Sequence, residues 1–279
     1  MILSERSRQR ASTITVYVVL GLLAVALLLP YLWLIITSFK SRVDTFAIPP
    51  SLTFQPTLDN YTTAFITKGF LSNLKNSVIV AAFSTLISVV VGVPSAYAFS
   101  RYRLPGQEQQ FFLILVTRMT PPVVLVLPLY LLMARLDLLD THLAIIIAHT
   151  TFNLPLVIWM MKGFFDSVPK EIDEAGMVDG CSPMMTFLRL VLPLTVGGLA
   201  ATAILSAVFS WNEFLFALIL SGRGTATLLV AVPRLMTIAG TFWGQVAAVG
   251  TVITLPVLAF AFTVQRYLVT GLTFGAINE

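Results

Sequence analysis

The chain predicts an all-α fold, a polytopic membrane protein with six transmembrane helices, and three observations predict it. Of 279 residues, 57% are hydrophobic and only 11% charged, with 20 Phe, well outside the composition of a soluble domain. Long uncharged runs recur at lengths suited to a helix crossing about 30 Å of hydrocarbon, which takes roughly 20 apolar residues. Lipid offers the backbone no hydrogen-bond partner, so spans must be helices or closed barrels, and runs this uniformly apolar do not alternate as barrel strands do.

The runs place spans at residues 11–39, 76–100, 109–134 (interrupted by Arg118), 143–161, 190–212 and 235–265. Arg6, Arg8 and Arg10 precede the first as they would a signal peptide. Its apolar run is too long for a cleaved segment, however, and no small-residue cleavage site follows, so it reads as a retained span. An even number of spans puts both termini on one side, and the leading arginines assign that side to the cytoplasm. By that topology nine of the 17 Lys and Arg fall inside, seven outside and Arg118 within a span.

Residues 1–10 are then a cytoplasmic N-terminus, 40–75 an extracytoplasmic loop and 162–189 a cytoplasmic loop. The outer loop carries Pro49, Pro50, Pro56 and the pair Asn60-Tyr61, and has room for short helices. No fixed-period repeat, low-complexity tract or soluble domain separates out, so residues 1–279 read as a single transmembrane domain. Cys181 is the one cysteine, which supports neither a disulfide framework nor a metal site.

The cytoplasmic loop is charged and punctuated by glycine, yet has helical signals. Pro169 suits a first turn and Lys170, Glu171, Asp173 and Glu174 follow it, which predicts a helix from near Val168 to near Gly180. Ser182 and Pro183 then read as the cap and first position of a second helix. Val168, Ile172, Ala175 and Gly176 form a narrow apolar stripe whose last members are small enough for a partner backbone to approach. Glu171, Glu174 and Asp179 flank it. Periodicity alone leaves open an amphipathic helix lying on its own bundle, although an acidic helix suits an anionic leaflet poorly.

Glu174-Ala175-Gly176, two residues and Asp179 before Leu190-Val191-Leu192-Pro193, with Gly180 and nine residues between, resembles the EAA loop of ATP-binding-cassette importer permeases. Gly176 stands where that pattern has a second alanine and Leu190 where it has isoleucine; both keep the character of the site. Further pieces are similar to the carbohydrate subgroup, specifically the maltose-type second permease subunit. These are Pro121-Pro122-Val123-Val124 through Pro128-Leu129-Tyr130, Trp211-Asn212-Glu213-Phe214, and Arg266-Tyr267-Leu268-Val269-Thr270-Gly271-Leu272-Thr273. The closing Ala276-Ile277-Asn278-Glu279 departs from the family's usual ending, in a tail that in relatives reaches the ATPase interface.

The resemblance implies that the first loop helix is a coupling helix docking on a separate cytoplasmic ATPase. Glu171, Glu174, Ala175, Gly176, Asp179, Gly180 and Pro193 are the implied ATPase-coupling residues. It also implies the partners: a homologous second permease, a dimer of ATPase subunits that use ATP and Mg, and an extracytoplasmic solute-binding protein. This chain itself would hold no cofactor and sit in the bacterial inner membrane.

The residues agree with a non-enzymatic role. No Gly-x-x-x-x-Gly-Lys-Ser/Thr loop is present to cradle phosphate, no Gly-x-Ser-x-Gly elbow, and no His-Glu-x-x-His cluster. His142 and His149, two helical turns apart and without a carboxylate nearby in a span, read as a loop residue beside Asp140 and a helix contact.

Charges inside a span are costly, by about 2.5 to 3.5 kcal/mol at mid-helix on insertion scales, which singles out Arg118 and Glu213. They can pair only if span five overhangs the membrane and enters near Ala201. Trp211, Asn212 and Glu213 offer an aromatic face with hydrogen-bonding groups, the chemistry of a sugar site. Asn153, and Met119 and Thr120 beside the Pro121-Pro122 break, complete the expected substrate pathway with Arg118. By the resemblance, the main sugar site lies largely on the companion permease and these residues form a wall. The expected cargo is a neutral carbohydrate. Alternatives are a polyol, glycerol phosphate or another small solute, or an ion-coupled secondary transporter, which predicts paired broken helices and an internal repeat.

Overall fold

The computed structural model describes residues 2–238 and 240–274, with side chains between Thr13 and Thr263. Among them four helices are long and apolar enough to cross a membrane, and six spans result if each of two bent helix pairs counts as one. We number the principal helices α1 (Ile2–Ser38), α2 (Phe70–Arg101), α3 (Gln107–Met119), α4 (Pro122–Arg135) and α5 (His142–Asp166). They continue as α6 (Glu171–Val178), α7 (Pro183–Leu194), α8 (Val196–Trp211), α9 (Leu215–Leu220) and α10 (Trp243–Phe274).

Three expected spans differ in form. Span three is α3 and α4, bent by 95°, and span five is α7 and α8, bent by 80°. The first bend follows from Thr120-Pro121-Pro122: the residue before a proline is driven out of the helical region, and Thr120 and Pro121 both have extended ψ, 126° and 131°. The second falls at Thr195, two residues after Pro193. The last span begins at Trp243 rather than at 235, because Val232–Leu235 is a 3-10 turn followed by a two-residue hairpin pairing Met236 with Thr241. The closing tail, 276–279, lies outside the described residues.

The chain divides into two compact units. One comprises residues 1–69 and 232–254. In it the outer loop folds back on the end of α1: Asn60 Nδ2 donates to the carbonyls of Ser38 and Lys40 at 3.0 and 2.8 Å, and the Ser38 and Tyr61 hydroxyls are 2.8 Å apart. The loop holds the expected short helices, Arg42–Thr45, Asp59–Tyr61 and Thr62–Thr67. Upstream, the side chains of α1 from Thr13 to Leu32 are all exposed.

The other unit comprises residues 70–231 and 255–279. Here α2, α5 and α8 pack side by side around two apolar clusters. The first gathers Ala96, Tyr97, Val157, Met161, Phe165 and Phe187 where α2 and α5 approach α6 and α7. The second gathers Val80, Met133, Ile145, Phe216 and Leu220 toward the other ends. Between them lie buried hydroxyls of Ser84, Ser88, Thr202, Ser206 and Ser210 with His149 and Asn153. Beyond the second cluster, Asn73 and Asn76 donate to the carbonyl of Ala226, and Asp140 accepts from the Gly222 amide and the Thr225 hydroxyl, pinning residues 222–226.

Candidate functional site

The expected loop helix is α6, starting at Glu171 rather than near Val168, and Ser182 caps the next helix by accepting from the Met185 amide. Its apolar stripe points the other way from the expectation. Val168 is buried, Ile172 packs on the first cluster, and Gly176 faces the chain's own α7, where a Cβ would come within 2.6 Å of Leu190 Cδ1 and 3.1 Å of Thr186 Oγ1. Ala175 stands on the outer side instead, exposed with Glu171, Glu174, Val178 and Asp179. The small residue of the stripe is therefore spent on internal packing, and the acidic face is the free one.

What seats α6 is a pairing that sequence reasoning missed. Asp173 is 6% exposed and accepts from Arg101 Nε at 2.8 Å and from the Tyr97 hydroxyl. Arg101 also donates through Nη2 to the carbonyl of Val168 at 2.9 Å. Burial of both partners makes this the kind of ion pair whose single-sided loss is expensive. Tyr97 in turn meets Phe165 edge-on and Phe187 at a tilt, at ring distances of 5.6 and 4.7 Å. The one signal in the sequence was an aspartate among acidic first-turn residues, which marks a helix start but not a buried acceptor. At Gly180 the constraint is φ of +86°, a left-handed conformation that favours glycine, while nothing lies within 4 Å; the corner is not crowded. Pro193 is exposed near the end of α7.

The bend between α3 and α4 opens a cavity of about 940 Å³ against α5, α8 and α9. Of the seven expected pathway residues, Arg118, Thr120 and Glu213 line it, with Thr117 and Thr151 as further polar groups among Leu, Ile, Pro and Phe side chains. Trp211 is buried at 8% exposure and, like Met119, Asn153 and Asn212, is not part of the lining. Asn212 donates to the Val208 carbonyl of its own helix, and Asn153 is fully enclosed. The expected aromatic platform is supplied by Phe152, Phe209 and Phe216 instead.

Arg118 and Glu213 share the cavity but do not pair. Arg118 donates to the Phe152 carbonyl at 2.9 Å and lies 4.5 Å from the centre of the Phe209 ring. Glu213 closes the break between α8 and α9, accepting from the amides of Phe216 and Ala217 at 2.9 and 3.1 Å. Its side-chain partner is His149, 3.1 Å away, so the expectation of a histidine without a carboxylate was wrong. His149 Nδ1 meets the Ser210 hydroxyl at 2.7 Å, and Ser210 meets Ser84 at 2.9 Å, which ties α5, α8 and α2 together through buried polar contacts. His142, expected in the loop, opens α5 and contacts Asn76 Oδ1 at 2.8 Å. Among the described residues no three metal-ligating side chains come together.

Comparison with known proteins matches residues 69–273 to the family model described as binding-protein-dependent transport system inner membrane component. The chain is 40% identical over 256 residues to a probable ABC transporter permease protein, y4oR, of Sinorhizobium fredii, covering 92% of both chains. It is 34% identical over 261 residues to the trehalose/maltose transport system permease protein MalG of Thermococcus litoralis, covering 92% of this chain and 94% of that one. Its fold is similar to a chain in the crystal structure of a bacterial ABC transporter involved in import of the acidic polysaccharide alginate, with TM-score 0.77 at 24% identity over 92% of this chain and 96% of that one.

Proposed function

The chain belongs to the family of binding-protein-dependent transport system inner membrane components, and on that premise we propose that it is one permease subunit of an ATP-binding-cassette importer carrying a neutral carbohydrate. The observation that carries the reading is α6: an acidic, exposed face seated on a buried ion pair, so that force applied to it from outside reaches the bundle. Glu171, Glu174, Ala175, Asp179 and Gly180 form the docking face for a cytoplasmic ATPase, joined by Val178, which is 87% exposed. Gly176 and Pro193 act behind it, setting how α6 and α7 lie.

ATP hydrolysis is supplied by the ATPase partner. Within this chain, displacement of α6 passes through Asp173 and Arg101 to α2, and through α7 to α8. The α3–α4 bend and the α8–α9 break flank the cavity, so their movement alternates which side it faces. The cavity suits a sugar because apolar and aromatic walls meet ring faces, while Arg118, Thr117, Thr120 and Thr151 meet hydroxyls. Relatives named for trehalose and maltose support a carbohydrate, and a single arginine without further cations favours a neutral one. In this reading, supported by the leading arginines Arg6, Arg8 and Arg10, both termini face the cytoplasm, and a second permease and an extracytoplasmic binding protein complete the assembly.

The test is affinity purification of the tagged chain from mild-detergent membranes, with identification of co-purifying subunits and an ATPase assay. A second permease and an ATPase whose rate rises with sugar-loaded binding protein support the reading. Recovery of the chain alone, with ion-driven uptake in vesicles, would overturn it.

A further inference from the structure

Lys40, just past the end of α1, is only 2% exposed, an unusual place for a lysine. Among the described residues its ammonium meets only ring faces, Trp33 at 4.6 Å and Phe54 at 5.4 Å. Cation–π contact offsets part of the cost of burying the charge but leaves its N–H donors without acceptors. The side chain borders a pocket of about 420 Å³ within the unit formed by residues 1–69 and 232–254.

The pocket is graded along its length. Pro30, Leu34 and Val246 form an apolar end, and Thr37, Lys40 and Asp44 a polar end. Trp33 and Trp243 also line it, aromatic types enriched where hydrocarbon meets headgroups. The apolar end belongs to the span Thr13–Ser38 and to the start of α10, so the gradient runs from membrane to water. Asp44 accepts from the Ser41 hydroxyl through Oδ2 and makes no ion pair with Lys40. A buried cation and a separate carboxylate thus line one space that also has apolar walls.

We propose that this pocket binds an aminophospholipid, its phosphate on the Lys40 ammonium, its primary amine on Asp44 and its upper acyl chain against Pro30, Leu34 and Val246. An acidic lipid without an amine leaves Asp44 facing a negative headgroup, and a choline headgroup has no N–H to donate to it. The proposal rests on α1 being a membrane span and not on the cargo or the ATPase.

The test is native mass spectrometry of the purified complex, delipidated and then reconstituted in nanodiscs of phosphatidylcholine doped with phosphatidylethanolamine or phosphatidylglycerol. Phosphatidylethanolamine is expected to survive a detergent wash preferentially, and Lys40→Met to weaken its retention about tenfold, the worth of one charge-assisted hydrogen bond. Asp44→Asn, at a partly exposed position, is expected to erase the preference over phosphatidylcholine while phospholipid remains bound. Equal retention of all three lipids by the wild type, or unchanged retention in Lys40→Met, overturns the proposal. So does Lys40→Met losing the second permease with lipid unchanged, which would make the pocket a subunit seat. Full competition by soluble glycerophosphoethanolamine would assign the site to a free headgroup and overturn the lipid.

Discussion

Replacing Arg101 by methionine isolates the seat of α6. The substitution keeps much of the apolar stem but removes the guanidinium that bonds Asp173 at 2.8 Å and the Val168 carbonyl at 2.9 Å. Asp173, 6% exposed, is left with the Tyr97 hydroxyl as its side-chain donor. Breaking one side of a buried ion pair costs about 3 to 5 kcal/mol, because the remaining charge stays desolvated. The cheapest escape is for α6 to lift off α2 and hydrate the carboxylate. Even about 3 kcal/mol shifts that opening equilibrium roughly a hundredfold. Hydrogen exchange of the amides in 171–178 should therefore accelerate by about that factor, with the buried middle of α5 unchanged. Binding-protein stimulation of ATPase activity should fall with it. The triple variant Tyr97→Phe, Arg101→Met, Asp173→Leu replaces every polar side chain of the set by an apolar one, and such swaps are commonly neutral or stabilising. It should restore slow exchange. A single variant that exchanges like the wild type, or a triple variant as labile as the single, would refute the ion pair as the seat of α6.

Three further outcomes are expected. Gly180→Trp should reduce transport more than Gly180→Ala at normal membrane insertion: both bear the left-handed backbone cost of about 1 to 2 kcal/mol, and no neighbour in this chain lies within 4 Å, so any size dependence in uptake assays reports crowding of the docked ATPase; equal losses would take Gly180 off the docking face. Glu213→Gln should lower the thermal stability of the detergent-solubilised complex, followed by fluorescence-detected size exclusion, by about 2 kcal/mol through weakened bonds to Phe216, Ala217 and His149. An unchanged melting point would deny the carboxylate its role at the α8–α9 break. The Thr225 hydroxyl, opposed in part by desolvation and aided by the Gly222 amide, holds the Asp140 carboxyl below its ordinary value of 3.8. A lowered folded-state pKa stabilises the 222–226 segment fully above that value and loses the contribution as pH falls through the lowered one. Protease sensitivity of the segment should rise on acidification in the wild type and be insensitive to pH in Asp140→Asn.

Much of the molecule was legible because its signals are local. Runs of apolar residues marked the spans, Thr120-Pro121-Pro122 the break, and Ser182-Pro183 the start of α7, each through the conformational limits of a few adjacent residues. The EAA-like spacing from Glu174 to Pro193 identified the family for the same reason, being carried within one loop. What the tertiary structure alone decided were the pairings and the facings. Arg101 meets Asp173 across 72 residues and His149 meets Glu213 across 64. No periodicity encodes which charge finds which. Gly176 and Ala175 are neighbours of like size, yet one packs on Leu190 and the other faces outward, a difference set by the turn at Gly180 that folds α7 back against one side of α6. Trp211 looked like a cavity wall and lies inside the packing, while Phe209 two residues earlier lines the cavity. In a membrane helix, lipid is as apolar as the protein interior, so hydrophobicity loses the contrast that in water separates a buried face from an exposed one. The sequence therefore determined where the chain crosses and where it breaks, and packing determined which residues those breaks bring together.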